Sequence, residues 1–346
     1  MNGKMKVWQQ TGIMTQEFVE RDIPQPKPGE VQVKIKCTGI CGSDMHYLEH
    51  GRIGDFVVDY PFVLGHESAG EVTALGEGVT ELKVGDRVTL EPGYTCGQCE
   101  FCKNGRYNLC PDVVFFATPP YDGTLAEYVT HPAHMCFKLP EKVDYCEGAL
   151  IEPLSVGFHA ALQGDAKPGQ TAMVVGCGCI GIVTMLALKS MGISKVYMSD
   201  VIDIRVEKAK SLGAQAVFNP MKEDVNEALK KATGGKGADL VIETAGNSKA
   251  QAQCVDLVKT GGTIVYVGMA AQAVTPIDIN QIIGKEAAIK SVFRYRNLYP
   301  VALSAVENGL PLKKVVSDSF DFNKTDKAFE YNINNKSDVT KIVIEY

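Results

Sequence analysis

The chain has 346 residues, enough for about two domains, and 45% of them are hydrophobic. Its formal net charge of -6, without clustered basic residues, argues against nucleic acid or an anionic membrane as a partner. No stretch approaches the roughly 20 uncharged apolar residues that span a bilayer, and no signal-peptide core is visible, so we expect a cytoplasmic globular protein. In such a protein the eleven cysteines favour metal ligands and free thiols over disulfides.

The first 153 residues read as short strands interrupted by glycine and proline. The stretch "VQVKIKC" places alternate apolar residues on one face, and "VGDRVTLEP" resembles a second strand. This part also contains four candidate metal ligands that are not clustered in sequence: Cys41, the adjacent pair His66 and Glu67, and Glu152. A catalytic zinc needs three protein ligands and an open position, which this set can supply with a carboxylate from either Glu67 or Glu152. Gly65 would permit the turn that two adjacent ligands require.

A second cysteine group predicts a separate metal site. The stretch "CGQCEFCKNGRYNLC" sets Cys96, Cys99, Cys102 and Cys110 at the spacing C-x2-C-x2-C-x7-C. Four thiolates in one short segment suit a closed, structural zinc site. An iron-sulfur cluster is the alternative, but its usual run has the fourth cysteine closer to the third, so the spacing favours zinc.

After the linker "GDAKPGQ" the pattern changes to apolar strands that alternate with helices. Six strands are predicted from "TAMVVG" to "AAIKSVF", and four helical segments lie between them, mostly ending at glycine. Continuous apolar strands joined by helices are typical of a parallel sheet, so we predict a doubly wound α/β domain.

A dinucleotide fingerprint begins this domain. Gly176, Gly178 and Gly181 have the G-x-G-x-x-G spacing between a predicted strand and a helix that starts near Ile180. Asp200 follows the next strand about 20 residues on, where a carboxylate would bond the adenosine ribose and repel the phosphate of NADP. We therefore expect NAD; the alternative for Asp200 is a simple helix cap.

The last part of the chain breaks the alternating pattern. "RYRNLYPVALSAVENG" predicts one helix and "TKIVIEY" a closing strand. A tail this short is expected to fold back onto the first domain.

Taken together, the motifs resemble the zinc-dependent medium-chain dehydrogenase/reductase family, especially its sorbitol, xylitol and L-iditol (polyol) dehydrogenases. The resemblance covers nearly the whole chain and rests on "GICGSDMHYLEHGRIGDF", "VLGHE", the cysteine segment, "GALIEPLSVGFHA", the glycine fingerprint and "VFRYRN". It implies a GroES-like, mainly β catalytic domain of residues 1–153 and 294–346, with a Rossmann NAD-binding domain of residues 154–293 inserted. It also implies a tetramer.

The resemblance assigns roles residue by residue. Cys41 and His66 match catalytic zinc ligands; Glu67 matches the third ligand of sorbitol dehydrogenases, and Glu152 then holds the metal-bound water or the substrate. Ser43 and His46 match a proton relay. The positions that match the substrate pocket are Tyr47, Phe56, Phe115, Glu152, Arg294 and Tyr295. The positions expected to contact the cofactor are Gly176, Gly178, Ile180, Gly181, Asp200, Arg205, Val267, Gly268, Met269, Val292, Phe293 and Arg294.

The implied activity is reversible oxidation of a polyol secondary alcohol to a ketose with NAD and zinc. The alternatives are a 2,3-butanediol, threonine or simple secondary-alcohol dehydrogenase. A more distant alternative is a non-catalytic NAD-binding structural or sensor protein, which would be expected to lack Cys41, His66 or Ser43. The chain keeps all three.

Overall fold

The computed structural model describes residues 3–272 and 274–346, which form 19 strands and 11 α-helices. The strands are Lys4–Gly12 (β1), Thr15–Asp22 (β2), Glu30–Ile40 (β3), Arg52–Ile53 (β4), Phe56–Val57 (β5), Glu67–Leu75 (β6), Arg87–Leu90 (β7), Gly93–Tyr94 (β8), Val114–Phe115 (β9), Tyr128–Pro132 (β10), Cys136–Lys138 (β11), Thr171–Val175 (β12), Lys195–Ser199 (β13), Ala216–Phe218 (β14), Ala238–Glu243 (β15), Val258–Tyr266 (β16), Ala288–Ser291 (β17), Asp318–Asp321 (β18) and Ile342–Glu345 (β19).

The helices differ greatly in length. They are Gly42–His50 (α1), Glu100–Lys103 (α2), Tyr145–Ala149 (α3), Ile151–Gln163 (α4), Cys179–Ser190 (α5), Asp203–Ser211 (α6), Val225–Ala232 (α7), Ser248–Leu257 (α8), Ile279–Lys285 (α9), Tyr299–Glu307 (α10) and Thr325–Asn334 (α11). Within the two described ranges, no helix has both the length and the apolar character needed to cross a membrane.

The chain divides into two compact units. The first comprises the residues up to Glu152 and those from Tyr299 onward, and the second is Pro153–Leu298. The first unit is mainly β and is built on a seven-stranded sheet. Its long strand β3 pairs with β6, β10 and β19, so the closing strand of the chain joins the sheet of the first unit.

The second unit contains a six-stranded parallel sheet in the order β14-β13-β12-β15-β16-β17. Numbered from its own first strand, this is the order 3-2-1-4-5-6 of a doubly wound dinucleotide-binding fold, and it confirms the predicted α/β domain. Strand order reverses between β12 and β15, and ligands of such sheets bind outside the carboxyl ends of the strands at that point. The interior strands are almost fully buried, as their continuous apolar sequences require.

Two sequence expectations are corrected by the fold. The predicted helix from residue 294 begins only at Tyr299, because Arg294 and Asn297 adopt positive φ angles of 55° and 56° that a helix excludes. The expectation that the cysteines are not disulfide-bonded is wrong for Cys37 and Cys146, which are paired with Cα atoms 5.3 Å apart. They are 109 residues apart in sequence, and the contact between α3 and β3 that joins them has no sequence signal.

Candidate active site and metal centres

The first unit brings together three of the four donors predicted for an open metal site. Ligand atoms of Cys41, His66 and Glu67 all lie within 4.8 Å of one another. Cys41 connects β3 to α1, while His66 and Glu67 stand where the chain enters β6. One thiolate, one imidazole and one carboxylate are the ligand types that zinc takes in proteins, so the donor set fits this metal.

Backbone geometry around Asp44 fixes the two loops that carry these donors. Gly65 has a φ of 92°, which a residue with a side chain rarely adopts, and it turns the chain before His66. The Asp44 carboxylate accepts hydrogen bonds from the amides of Cys41 and Gly65, both at 2.9 Å. Burial opposes its ionisation, but His66 and these two amides outweigh burial and lower the pKa of Asp44. The His66 ring nitrogen lies 3.7 Å from Asp44, so the carboxylate mainly orients the loops.

Glu67 has a cationic partner that sequence reasoning missed. The Lys341 ammonium donates to both carboxylate oxygens at 2.7 Å and to the Ile40 carbonyl at 2.9 Å. Both side chains are buried, with exposed fractions of 4% and 1%. Gly39 pairs with Glu67 across the sheet, and any side chain there would collide with the carboxylate. No pattern in "TKIVIEY" marks Lys341, because only the pairing of β19 with β3 brings it to Glu67.

The predicted pocket residues have different environments. The Phe115 ring lies 5.8 Å from the His66 ring, and it reaches this place because Gly93, opposite it in the sheet, has no side chain to block it. Tyr47 is 3% exposed and packs in the hydrophobic core, whereas Phe56 is 43% exposed. Both proton-relay candidates lie on α1: Ser43 is half-buried, while His46 is exposed and stacks on His50 with ring centres 4.4 Å apart.

Glu152 belongs to a second group of buried carboxyls. It lies in the first turn of α4, only 6% exposed, and acts electrostatically on Glu91, which is 3% exposed. Burial raises the pKa of Glu91 to about 7, opposed by a 2.5 Å hydrogen bond from the Tyr107 hydroxyl and assisted by Glu152. Tyr107 stands three residues before Cys110, so Glu91 links the cysteine segment to Glu152.

The four cysteines of the second candidate metal site lie close together. Their sulfur atoms are 3.5 Å apart for Cys99 and Cys102, 3.6 Å for Cys96 and Cys110, and 4.0 Å for Cys96 and Cys102. A tetrahedral ion with zinc-sulfur distances of about 2.3 Å would place its sulfurs about 3.8 Å apart. The four thiols therefore fit a single zinc ion.

In the second unit, the glycine fingerprint forms the turn that the motif requires. Gly176 has a φ of 102°, and a side chain at Gly181 would collide with the Gly176 carbonyl. Helix α5 begins at Cys179, one residue before the predicted start. The Asp200 carboxylate accepts hydrogen bonds from the amides of Cys177 at 2.8 Å and Ile202 at 2.9 Å. It therefore braces both the glycine turn and the turn that precedes α6, whose N-cap residue is Ile202.

A cavity of about 810 Å³ lies beside this turn at the carboxyl edge of the sheet. Its lining includes Gly176, Asp200, Val201, Met221, Ala245 and Asn247. The other predicted cofactor residues lie near sheet ends: Arg205 on α6, the segment Val267 to Met269 after β16, and Val292, Phe293 and Arg294 after β17. The Arg294 guanidinium lies 5.0 Å from the centre of the Phe293 ring, and Tyr295 is 3% exposed.

Comparison with known proteins gives a consistent identification. A model of the alcohol dehydrogenase GroES-like domain matches residues 27–141, and a model of zinc-binding dehydrogenases matches residues 179–308. Sorbitol dehydrogenase of Bacillus subtilis is 41% identical over 323 residues, covering 93% of this chain and 92% of that protein. Sorbitol dehydrogenase of Homo sapiens is 43% identical over 311 residues, covering 89% and 87%.

Among solved structures, an alcohol dehydrogenase of Escherichia coli CFT073 complexed with NADH is 31% identical and superimposes with a TM-score of 0.92 over 99% of each chain. Motifs, fold and donor set therefore agree with these matches. The chain belongs to the zinc-dependent medium-chain dehydrogenase/reductase family.

Proposed function

We propose that this protein reversibly oxidises a secondary hydroxyl group of a polyol, of the sorbitol, xylitol or L-iditol type, to the ketose, with NAD as hydride acceptor and zinc at the active site. The observation that carries the proposal is the convergence of Cys41, His66 and Glu67, in a chain more than 40% identical to two sorbitol dehydrogenases.

In this proposal Cys41, His66 and Glu67 hold the catalytic zinc. Bound there, zinc would act as a Lewis acid that lowers the pKa of a substrate hydroxyl. A carboxylate can accept from Lys341 and still offer a lone pair to a metal, since its two oxygens have about four acceptor sites. Glu152 is then left to bind the substrate or a water molecule. The Asp44 carboxylate accepts hydrogen bonds from the Cys41 and Gly65 amides and so fixes the spacing of the zinc donors.

The proton leaves through α1. The Ser43 hydroxyl stands two residues after Cys41, takes the proton from the substrate and passes it towards solvent, where His46 is exposed. Partial burial and the neighbouring His50 lower the pKa of His46, so the ring is uncharged at neutral pH and can accept a proton. Glu152 supplies a polar group of the kind that a polyol, unlike a simple alcohol, requires, and the substrate roles of Arg294 and Tyr295 stay predictions.

NAD is proposed to bind at the switch point of the parallel sheet, with its pyrophosphate at the N-terminus of α5 and its adenosine in the 810 Å³ cavity. The cofactor supplies the hydride acceptor. The Asp200 carboxylate lines this cavity and would repel a 2'-phosphate, which favours NAD over NADP. The NADH complex of the E. coli relative supports the same choice.

The four cysteines Cys96, Cys99, Cys102 and Cys110 are proposed to hold a second, structural zinc. A cluster of several iron atoms would hold its thiolates farther apart than the sulfur separations of 3.5 to 4.0 Å seen here. The tetrameric state and cytoplasmic location stay predictions, and sedimentation of the purified protein would test the tetramer.

The experiment is an NAD-coupled assay of sorbitol, xylitol and L-iditol beside 2,3-butanediol, threonine and 2-propanol, with metal content measured on the same sample. We expect the polyols to turn over fastest, NADP to be used less well than NAD, and two zinc ions per chain. Faster turnover of butanediol or threonine would overturn the substrate class. NADH binding without turnover by the zinc-replete protein would favour the non-catalytic alternative.

A further inference from the structure

A buried carboxyl in the second unit has no role in the scheme above. Glu243 is the last residue of β15, and none of its surface is exposed. One carboxylate oxygen accepts hydrogen bonds from the amides of Ala245 and Gly246, both at 2.8 Å. The other oxygen has no hydrogen-bond partner among the described residues. An acidic side chain in this position needs an explanation, because burying a carboxylate without a cation is unfavourable.

The backbone of the same residue reaches a second turn. The Glu243 carbonyl accepts from the amides of Val267 at 2.9 Å and Gly268 at 3.2 Å. Side chain and carbonyl together therefore hold two turns, one at residues 244–246 after β15 and the other at residues 267–269 after β16. We call them the β15 turn and the β16 turn.

The two turns touch each other without room for side chains. Gly246 has a φ of 66°, and a Cβ atom there would lie 2.8 Å from the Met269 carbonyl oxygen. A Cβ atom at Gly268 would collide with the Gly246 amide and lie 2.9 Å from the free Glu243 oxygen. Contacts this close mean that the relative position of the turns is set by the groups that bridge them.

Both turns belong to the edge of the sheet at which the cofactor is proposed to bind. Ala245 and Asn247 line the 810 Å³ cavity together with Gly176 and Asp200. The Thr244 hydroxyl donates to the Val175 carbonyl at 2.9 Å, immediately before the glycine fingerprint. Glu243 thus contacts the β15 turn and the β16 turn and, through its neighbour Thr244, adjoins the glycine fingerprint. It does not itself line the cavity.

We propose that Glu243 is a positioning residue for the cofactor: its carboxyl fixes the β15 turn, its backbone carbonyl holds the β16 turn, and together they pre-form the surface that binds NAD. This inference rests on the proposed function, since it takes the cavity to be the NAD site. The working group is the oxygen that accepts from Ala245 and Gly246. Negative charge is not required, because among the described residues no cation pairs with the carboxyl and the second oxygen accepts no hydrogen bond.

Burial raises the pKa of Glu243 to about 7 although the surrounding amides lower it, so part of the population carries a protonated carboxyl at neutral pH. A glutamine has the same shape and keeps a carbonyl oxygen for the two amides. It should therefore replace Glu243, whereas alanine should release the β15 turn. These two substitutions separate the role of the acceptor from that of the charge.

The test measures NADH affinity of the zinc-replete protein by fluorescence titration, with melting temperature and steady-state kinetics on the same samples. Glu243→Ala should weaken NADH binding and raise KM for NAD by about tenfold or more, with kcat at saturating NAD within about threefold, as expected for loss of pre-organisation. Glu243→Gln should stay within about threefold of wild type in both. Val241→Ala, which removes buried methyl groups from the same strand, is the matched control for a purely structural loss.

Each outcome decides the inference. Equal NADH affinity in wild type and Glu243→Ala would overturn it and leave the proposed function intact, whereas failure of the wild type to bind NADH would remove both. The inference would also be overturned if Val241→Ala and Glu243→Ala lowered the melting temperature equally and weakened NADH binding equally. If Glu243→Ala does not fold, Glu243→Gln still decides, because a tenfold loss of affinity in that variant contradicts an acceptor role.

Discussion

The two candidate metal sites of the first unit are built in opposite ways. The four-cysteine site takes all its donors from residues 96–110, in a segment whose only α-helix is the one-turn α2, and three of its cysteines are half-buried. The Cys41, His66 and Glu67 site takes its donors from two separate loops and needs Asp44 and Lys341 to support them. The four-cysteine site is therefore local, because the spacing of its cysteines is enough to bring them together. The other site forms only when the sheet of the first unit has folded.

This difference assigns the expected roles. Four thiolates around one ion leave no open position, so the local site is suited to stabilising its own segment. Three mixed donors leave a position for substrate, and their supporting residues come from distant parts of the chain, which suits a reactive site that the whole fold must hold in place. Substitutions in the two sites should therefore separate activity from stability.

The largest expected effect is loss of the open site. His66→Ala should lower kcat/KM by roughly a thousandfold or more, because Lewis-acid stabilisation is worth several kcal/mol. It should also reduce the zinc content from two ions to one. His134→Ala, at an exposed histidine of the same unit, is the control and should keep both. Full activity in His66→Ala would show that the reaction centre lies elsewhere.

The buried pair behind that site should give the next largest effect, on stability. Lys341→Met leaves the Glu67 carboxylate buried without its cation, and breaking such a pair typically costs about 3–5 kcal/mol. Lys222→Met, which breaks an exposed pair with Asp203, should cost less than about 1 kcal/mol.

The same variant tests whether Glu67 contacts the metal. If zinc lies against Glu67, the cation compensates the carboxylate, so the cost of Lys341→Met in urea unfolding should be smaller with zinc bound than after chelation. An equal cost in both states would separate Glu67 from the metal and leave Glu152 as the better third ligand.

The contrast between local and long-range structure also explains which of these features the sequence predicts. The cysteine segment, the glycine fingerprint and the six parallel strands depend on local spacing and periodicity, and all were predictable. By contrast, Lys341, the Cys37 and Cys146 pair, and the link from Glu91 to Tyr107 join residues brought together by strand pairing or helix packing. Local sequence patterns do not predict such contacts.

For the open site, the resemblance predicts Cys41, His66 and Glu67 as ligands, but the preference between Glu67 and Glu152 does not follow from spacing. It depends on which carboxylate the fold directs to the other donors. The late start of α10 has a similar cause, since the positive φ angles of Arg294 and Asn297 override the helical pattern of the sequence.

The local metal site should affect stability more than chemistry. Cys99→Ala should lower the zinc content by one ion and make the segment of residues 96–110 sensitive to proteases, because a structural zinc site contributes folding energy. We expect kcat to fall by no more than about tenfold, because the loss of this zinc reaches the open site only through the contact of Tyr107 with Glu91. Cys254→Ala, at a buried cysteine of the second unit, is the matched control and should keep both zinc ions. A loss of activity as large as that of His66→Ala would contradict the division of roles.

The smallest expected effect concerns acid, which can weaken the first unit either by releasing zinc or by charging a buried histidine. His131 is 1% exposed, its Nε2 lies 2.7 Å from the Glu91 carbonyl, and burial lowers its pKa to about 4. Because the unfolded chain binds this proton near pH 6.5, the stabilising contribution is complete above that pH and is lost as the pH falls towards 4. His131→Gln should remove this part of the acid sensitivity, worth roughly 2–6 °C in melting temperature at pH 5 compared with pH 7, while His134→Gln should not. If His131→Gln melts with the wild-type pH dependence while zinc is released over the same range, the metal sites and not the histidine set the acid limit.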